Sequence, residues 1–111
     1  MDSVQQLKKG TAETLVLAVL AESPSHGYAI AREIEKRSAD VLSLGEGSLY
    51  PVLRGLEGRK LVTTQWEPQE TGPARRVYTL TESGLSELRK RQSEWNRFTS
   101  AVNLVLGNAH A

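Results

Sequence analysis

The alternation of apolar and polar residues in the first half of the chain predicts helices. Residues 1–10 predict only a short arm or a partial helical turn. A nearly continuous apolar run after Thr11, a candidate N-cap, predicts a buried first helix over residues 11–22. The Ser-Pro-Ser-His-Gly sequence of residues 23–27 predicts a turn. Residues 28–38 predict a second helix, because their two isoleucines fall on one face and charged residues occupy the other.

The third helix has the most informative pattern. Its apolar residues recur at i, i+3, i+4 and i+7, and they are Leu49, Val52, Leu53 and Leu56. Proline fits a first helical turn, where its missing N–H needs no partner, so Pro51 predicts a start near Gly47 or Ser48. The opposite face carries small residues with one tyrosine and one arginine, namely Gly47, Tyr50, Pro51, Arg54, Gly55 and Gly58. Such a helix can lie close against a large partner, which we take to be the major groove of DNA.

The period of the pattern changes after the third helix. Residues 61–67 and 75–80 are rich in β-branched and aromatic residues and predict two strands joined by the loop 68–74. A hairpin alone is marginally stable, so it must pack on the helices. A long helix follows from Thr81, its N-cap, to about Leu106, where a glycine ends it.

Three helices, a hairpin and a final helix are the elements of a winged helix-turn-helix. We therefore predict a mainly α fold with a small β-hairpin, in which residues 1–81 form a DNA-binding domain. Residues 82–111 would form a C-terminal dimerisation helix, and the two parts would make one compact unit. The third helix would enter the major groove, and the hairpin, or wing, would flank the DNA backbone.

The composition fits one globular domain and excludes several classes. The chain has 111 residues, of which 39% are hydrophobic and 24% are charged. No apolar run approaches the roughly 20 residues of a membrane span, and the N-terminus lacks the pattern of a secretory leader. The absence of cysteine excludes disulfides and thiolate metal sites. We therefore expect a cytoplasmic protein without a membrane partner.

The charge of the chain is nearly balanced, with a formal net charge of +1. DNA binding cannot then rest on general basicity, and it needs cations placed at the contact face. Residues 47–60 carry Arg54, Arg59 and Lys60 against Glu57, which is a local excess of two positive charges.

The candidate DNA contacts lie on the third helix and the wing. Recognition helices present their first residues to base edges and phosphates, so we assign Arg54 to a base or a phosphate. Ser48 and Tyr50 are assigned mainly to phosphates. Arg75 and Arg76 are further phosphate candidates, although strand alternation lets only one of them point outward along a regular wing. The alternative for each is a solvated side chain that contributes little.

Residues typical of catalysis or of cofactor and metal binding form no recognisable set. His26 has no carboxylate or second histidine near it in the sequence, so we expect it to support the turn before the second helix. His110 lies in the C-terminal tail. A nucleophile elbow, a phosphate-binding loop and paired carboxylates are all missing from the sequence. We expect no enzymatic activity, no cofactor and no metal.

Four segments resemble the PadR family of bacterial transcriptional regulators, in the order and spacing of that family. They are Leu7-Lys8-Lys9-Gly10-Thr11, His26-Gly27-Tyr28-Ala29-Ile30, Gly47-Ser48-Leu49-Tyr50-Pro51-Val52-Leu53 and Tyr78-Thr79-Leu80-Thr81. The Gly-Ser-Leu-Tyr-Pro run is specific to the family, whereas the Tyr-x-Leu-Thr run occurs in many winged helices. The acidic wing residues Glu67 and Glu70 depart from the family pattern.

The resemblance implies a homodimeric DNA-binding repressor whose C-terminal helix forms the dimer interface. It also implies that a small aromatic or cationic effector relieves repression. By resemblance, Tyr28 would reach a phosphate from the start of the second helix, and the alternative for this residue is a core tyrosine.

The last helix carries an apolar seam that would be exposed to solvent in a single chain. The seam consists of Leu88, Trp95, Phe98, Val102 and Val105. Packing on a second copy would cover it, and folding back on its own domain is the alternative. The sequence around Trp95 resembles a drug-responsive branch of the family, in which a matching tryptophan stacks on planar ligands between the subunits. A tryptophan of the plain dimer core is the other interpretation.

Two copies of the third helix would enter successive major grooves of double-stranded DNA. We therefore expect an inverted-repeat operator with half-sites about 10 base pairs apart, or a multiple of that. Two other functions stay open. A winged-helix protein-interaction module would show an apolar outer face on the third helix, and a ligand-binding dimer would have no DNA function.

Overall fold

The computed structural model describes residues 5–6 and 8–108 of the chain. The helices are α1 (Lys9–Leu20), α2 (Gly27–Arg37), α3 (Glu46–Gly58) and α4 (Glu82–Leu106). The strands are β1 (Gln5–Gln6), β2 (Ser25–His26), β3 (Leu42–Ser43), β4 (Val62–Glu67) and β5 (Arg75–Leu80). This order confirms the predicted winged helix-turn-helix with a long C-terminal helix. Within the described ranges, none of the helices combines the length and the apolarity needed to cross a membrane.

The wing is the antiparallel hairpin of β4 and β5, which pair from Val62 opposite Leu80 to Glu67 opposite Arg75. The short strand β2 pairs antiparallel with the other edge of β5 and makes a three-stranded sheet. The predicted turn at residues 23–27 therefore also contains a strand. The strand β2 is not predictable from the local sequence pattern, because its hydrogen-bonding partner β5 lies far along the chain.

A second, smaller sheet holds the N-terminal arm. β1 pairs in parallel with β3, with Gln5 opposite Leu42 and Gln6 opposite Ser43. Gln5 and Gln6, two residues of the predicted arm, thus pair with the connector before α3. Leu7 and His110, which the sequence singled out, lie outside the described residues.

The hydrophobic core lies where α1, α2 and α3 meet one face of the three-stranded sheet. All four periodic residues of α3 are buried, which confirms its predicted inner face. Fully buried aliphatic side chains each stabilise the fold by about 1.5–3 kcal/mol relative to exposure. The largest of them are Leu17, Ile30, Leu49, Leu53, Leu56, Val16 and Val62.

The start of α1 differs from the prediction. The helix begins at Lys9 with Lys8 as its N-cap, and the amide of Ala12 donates to the Lys8 carbonyl at 2.8 Å. Thr11 therefore lies inside the first turn and is not the cap. Lys8 adopts the extended conformation of an N-cap without a side-chain hydrogen bond, so composition does not mark it.

The start of α3 also differs, because the helix begins at Glu46 and Pro51 lies in its second turn. The prediction that Pro51 occupies a first turn is wrong. A proline at this position leaves the carbonyl of Gly47 without its helical N–H partner. Gly47 is exposed, so solvent can hydrogen-bond that carbonyl.

Both predicted ends of α4 are confirmed. The Thr81 hydroxyl oxygen accepts a hydrogen bond from the amide of Gly84 at 2.9 Å, as an N-cap does. At the other end Gly107 has a φ of 81°, the left-handed conformation that terminates helices.

The first turns of α4 pack into the same core as the preceding residues, and Gly84 and Leu88 are buried there. Leu88 is only 3% exposed in the single chain. Its assignment to a dimer interface is therefore corrected, because α1 and the sheet already cover it and a second copy could cover little more. The division at residues 81 and 82 stays a prediction.

A buried carboxylate links α1 to the end of α3 and to α4. Glu13 accepts hydrogen bonds from Arg59 at 2.6 Å and from Arg91 at 3.0 Å, and Arg91 also binds Glu87 at 2.7 Å. Burial by itself would raise the pKa of Glu13, but hydrogen bonds and charges from the two guanidinium groups outweigh it and lower the pKa below its usual 4.5.

Candidate nucleic-acid interface

The outer face of α3 is exposed and carries the side chains predicted for DNA contact. Ser48, Tyr50 and Arg54 are all solvent-exposed, and the glycines that flank them in α3 carry no side chain above the helix backbone. A methyl group added at Gly47, Gly55 or Gly58 would meet no atom within 4 Å. This face therefore presents a hydroxyl, a phenol and a guanidinium on a surface that a large partner can approach closely.

A cleft of about 370 Å³ lies beside this face, between α2, α3 and the wing. Four of the predicted contact residues line it together, which the sequence alone could not show. They are Tyr28, Tyr50, Arg75 and Arg76. Ser48 and Arg54 lie outside the cleft lining, on the exposed surface of α3.

Tyr28 and Tyr50 hold different positions at the cleft. Tyr28 is 65% exposed, so its alternative as a core residue is wrong. The ring of Tyr50 packs on the backbone of Gly27, where an added methyl group would lie 3.1 Å from the Tyr50 hydroxyl oxygen. A side chain at position 27 would require the Tyr50 ring to move by a few tenths of an ångström, and the present packing places the phenol of Tyr50 beside the N-terminus of α2.

Arg75 is positioned by His26. One guanidinium nitrogen of Arg75 lies 2.9 Å from Nε2 of His26. A guanidinium only donates hydrogen bonds, so Nε2 is the acceptor in this contact. We expected His26 to support the turn before α2. The structure also shows that its side chain reaches from β2 to Arg75 of the wing.

Arg76 lies over the ring of Trp66 on the neighbouring strand, with the guanidinium carbon 5.4 Å from the ring centre. This is within the range of a cation–π contact. Both wing arginines are exposed, although neighbouring residues of β5 alternate between its two faces. They lie beyond the helical core, where both faces of the hairpin meet solvent.

Arg32 is a further cation at this surface, and it belongs to the charged, solvent-exposed face of α2. Its guanidinium carbon lies 6.0 Å from the centre of the Tyr28 ring, one helical turn away. The spacing of four residues on α2 is a signal that could have paired them.

Arg59, by contrast, adds less positive charge to this surface than its position in the sequence suggested, because it is paired with a carboxylate. Its charge is balanced by the buried carboxylate of Glu13, 46 residues away. The local excess of positive charge on α3 is thus smaller than the count over residues 47–60 indicates.

A second concave surface lies between α1 and α4. It is a groove of about 1100 Å³ whose lining includes Leu15, Ala18, Glu94, Trp95 and Phe98. Trp95 is 55% exposed and Phe98 is 61% exposed, and their ring centres lie 6.1 Å apart. Val102 and Val105 continue the exposed apolar seam along α4. Apart from Leu88, the predicted seam is therefore uncovered in a single chain.

Three helices, a wing and a projecting C-terminal helix make this chain a winged helix-turn-helix protein. Residues 16–90 match the family model of the PadR-like transcriptional regulators, and the chain belongs to that family.

Solved structures agree with this assignment. The structure of smu.1704 from Streptococcus mutans is similar with a TM-score of 0.79 and 28% identity, over 96% of this chain and 97% of that one. A PadR family transcription regulator from Clostridium difficile is similar with a TM-score of 0.78 and 28% identity, over 87% of this chain and 99% of that one.

A relative encoded in a transposon extends the comparison. An uncharacterized 37.1 kDa protein in transposon TN4556 of Streptomyces fradiae is 36% identical over 96 residues. The match covers 86% of this chain but only 26% of that protein.

Proposed function

We propose that this regulator reads a specific duplex DNA site with the outer face of α3, from Ser48 to Arg54. The carrying observation is that α2, α3 and the wing bring Tyr28, Tyr50, Arg75 and Arg76 together beside the exposed Arg54. Phosphate contacts fix the register of a protein on DNA, and base contacts specify the sequence. The glycines on the same face let the helix backbone approach the floor of the groove.

Each residue has a distinct role in this proposal. Arg54 points from the outer face of α3 and contacts a base edge or a phosphate. Ser48 and Tyr50 donate hydrogen bonds to phosphates at the start of the helix. Arg75 and Arg76 contact phosphates from the wing, and Tyr28 does so from the start of α2.

The functional unit in this proposal is a homodimer formed along α4. The exposed seam of Trp95, Phe98, Val102 and Val105 supports it, because two such seams can cover each other. Two α3 helices would then read an inverted repeat, with half-site centres about 10 base pairs apart or a multiple of that. We assign negative regulation to it, because a dimer seated on an operator excludes other proteins from that DNA.

The groove beside Trp95 is the proposed effector site. The exposed indole offers a face for stacking and for cation–π attraction. Glu94 lines the same groove and takes part in none of the ion pairs found within residues 8–108. These two residues favour a small aromatic cation, and such an effector would change DNA affinity by favouring one spacing of the two α3 helices.

The DNA proposal is tested with a duplex selected from a randomised pool. Wild-type protein should bind it with an affinity that falls steeply between roughly 50 and 200 mM salt. Arg54→Ala should weaken binding by about 1–3 kcal/mol if the contact is to a base. The matched control is Arg89→Ala, which removes an exposed arginine of α4 from outside the proposed interface.

Binding without salt dependence, or equal losses in Arg54→Ala and Arg89→Ala, would overturn the DNA-reading role. In that case a ligand-binding dimer or an interaction module becomes the better description of the chain.

The effector proposal is tested with proflavine, a planar cationic dye. In a Trp66→Phe background, Trp95 is the only remaining tryptophan, and the dye should quench its fluorescence. Trp95→Ala should weaken dye binding measured by dye anisotropy. Anisotropy that is the same in wild type and Trp95→Ala would rule out this site.

A further inference from the structure

Trp66 is an exposed tryptophan on the wing that the DNA contacts assigned above leave unexplained. Its side chain is 66% exposed, so the hydrophobic core does not require it. Its ring contacts the guanidinium of Arg76, which lies opposite it in the register of β4 and β5. The contact that distinguishes this indole is therefore the one with the Arg76 guanidinium.

The strand register shows which side of the wing Trp66 occupies. Side chains at every second position of a strand share a face, and directly opposed residues of an antiparallel pair share it too. Val62 and Tyr78 belong to the face of Trp66, and both are buried against the helices. Trp66 and Arg76 therefore continue the helix-facing side of the sheet, beyond the end of the core.

The same face of the wing makes a direct contact with α3. Thr64, two residues before Trp66, donates a hydrogen bond from its hydroxyl to Glu57 of α3 at 3.0 Å. Arg76 lines the cleft that also contains Tyr50 of α3. Trp66 is not part of the cleft lining, but it lies about 7 Å along the strand from Thr64 and opposite Arg76, which lines the cleft.

The charge of the wing adds a second argument. Residues 62–80 carry Glu67 and Glu70 against Arg75 and Arg76, so their net charge is zero. Long-range attraction gives this wing little hold on a phosphate backbone. A guanidinium held at a fixed place by an aromatic face would contribute a local contact where general attraction is missing.

We propose that Trp66 is a positioning residue for DNA binding, which holds the guanidinium of Arg76 against the phosphodiester backbone beside the groove entered by α3. This inference rests on the proposed DNA-reading function. The indole itself borders the same backbone, so its environment changes when duplex DNA binds.

The test compares two substitutions on opposite faces of β4, measured with the selected duplex. Trp66→Leu should weaken binding by about 3- to 30-fold, the range of a cation–π contact from exposed to desolvated. Gln65→Leu, next to it but on the other face, should bind like wild type. Both residues are exposed, and circular dichroism with urea unfolding checks that both variants keep the fold.

Two further measurements separate positioning from a general effect on the wing. Arg76→Ala should lower the slope of log affinity against log salt by about one, and adding Trp66→Leu to it should cost little more. In protein labelled with 5-fluorotryptophan, the fluorine resonance missing from Trp66→Phe should shift when the duplex is added.

The outcomes distinguish the two proposals. An unshifted resonance with full affinity in Trp66→Leu overturns the role of Trp66, while loss of binding in Arg54→Ala leaves the DNA-reading function standing. Additive losses in the double variant overturn the positioning of Arg76. If wild-type protein shows no salt-dependent binding at all, the DNA-reading function itself fails.

Discussion

Glu13 shows how a single charged residue can be accommodated in the core of a small domain. Its carboxylate is buried, and its two oxygens each accept from a different arginine, Arg59 at the end of α3 and Arg91 on α4. A buried charge is costly unless it is paired in this way. One residue of α1 is thereby paired with the end of α3 and with α4.

Replacing Glu13 by Gln should destabilise the fold by roughly 1–3 kcal/mol near neutral pH, because the two guanidinium groups lose their acceptor. The pKa of Glu13 is lowered in the folded chain. Its contribution is therefore present above the unfolded value of about 4.5, and it disappears as the pH falls through the lower folded value. Urea unfolding at a series of pH values should show wild type and Glu13→Gln converging in acid.

The control for this prediction is Glu33→Gln, which removes an exposed i,i+4 ion pair with Arg37. Exposed pairs contribute little to stability, so this variant should stay close to wild type at neutral pH. A stability gap between wild type and Glu13→Gln that persists unchanged in acid would contradict the electrostatic account.

Gly84 gives a steric prediction at the same scale. A methyl group there would overlap the carbonyl oxygen of Leu61 and lie 2.6 Å from a methyl carbon of Leu80. Gly84→Ala should therefore destabilise the fold by about 3 kcal/mol or more, measured by urea unfolding. Gly10→Ala in α1 meets nothing within 4 Å, so it should be neutral or stabilising by up to about 1 kcal/mol. Equal stability of the two variants would show that α4 can shift away from β4.

At the scale of the element, α3 contains a natural pair of positions for testing close seating on DNA. Gly47 and Gly58 are 11 residues apart in one helix, which is close to three full turns, so they share one stripe. Both are exposed, and an added methyl group at either would meet no protein atom within 4 Å. They differ in lying at opposite ends of the helix.

Gly47→Ala should weaken duplex binding by about 1–3 kcal/mol, as an overpacked contact does, because the proposed function places the start of α3 in the groove. Gly58→Ala should leave binding unchanged. Both variants should be as stable as wild type or gain up to about 1 kcal/mol, since alanine favours helix. Anisotropy titrations paired with urea unfolding give both quantities. Equal affinities in the two variants would show that α3 does not approach DNA through its first turns.

Elements whose pattern is local were predictable from the sequence. The periodicity of Leu49, Val52, Leu53 and Leu56 identifies the inner face of α3, and Thr81 marks the start of α4. In each case the physical cause lies within one or two helical turns of the residue, so it can be recognised from the neighbouring sequence.

Features that depend on distant partners were not predictable. The strand β2 forms only because β5 lies beside it, and His26 contacts Arg75 across 49 residues of sequence. Glu13 and Arg59 are 46 residues apart, so a charge count along α3 missed their neutralisation. Leu88 fits the apolar seam of α4 by spacing, yet the tertiary fold buries it in its own domain.

At the scale of the whole molecule, the two parts of α4 serve different purposes. Its first turns complete the core through Gly84 and Leu88, whereas the later seam from Trp95 to Val105 stays exposed. A helix of 25 residues is about 37 Å long, which carries the seam well beyond the core. The stability of the fold and the assembly of the proposed dimer can therefore be tested by separate mutations.

Phe98→Glu should break the proposed dimer without unfolding the chain, because Phe98 is 61% exposed and lies outside the core. A charge at the centre of the seam should cost about 2–4 kcal/mol of association, as loss of an interface hot spot does. Sedimentation velocity should show a monomer in place of a dimer. Binding to the selected duplex should fall as well, because one winged helix can occupy only one half-site.

Ser93→Glu is the matched control, since it adds the same charge to the same helix at an exposed position on the opposite face. This variant should sediment and bind DNA like wild type. If Phe98→Glu remains dimeric, the seam is not the interface. If it becomes monomeric yet binds the inverted repeat with full affinity, each α3 reads DNA independently, and pairing through α4 has no part in recognition.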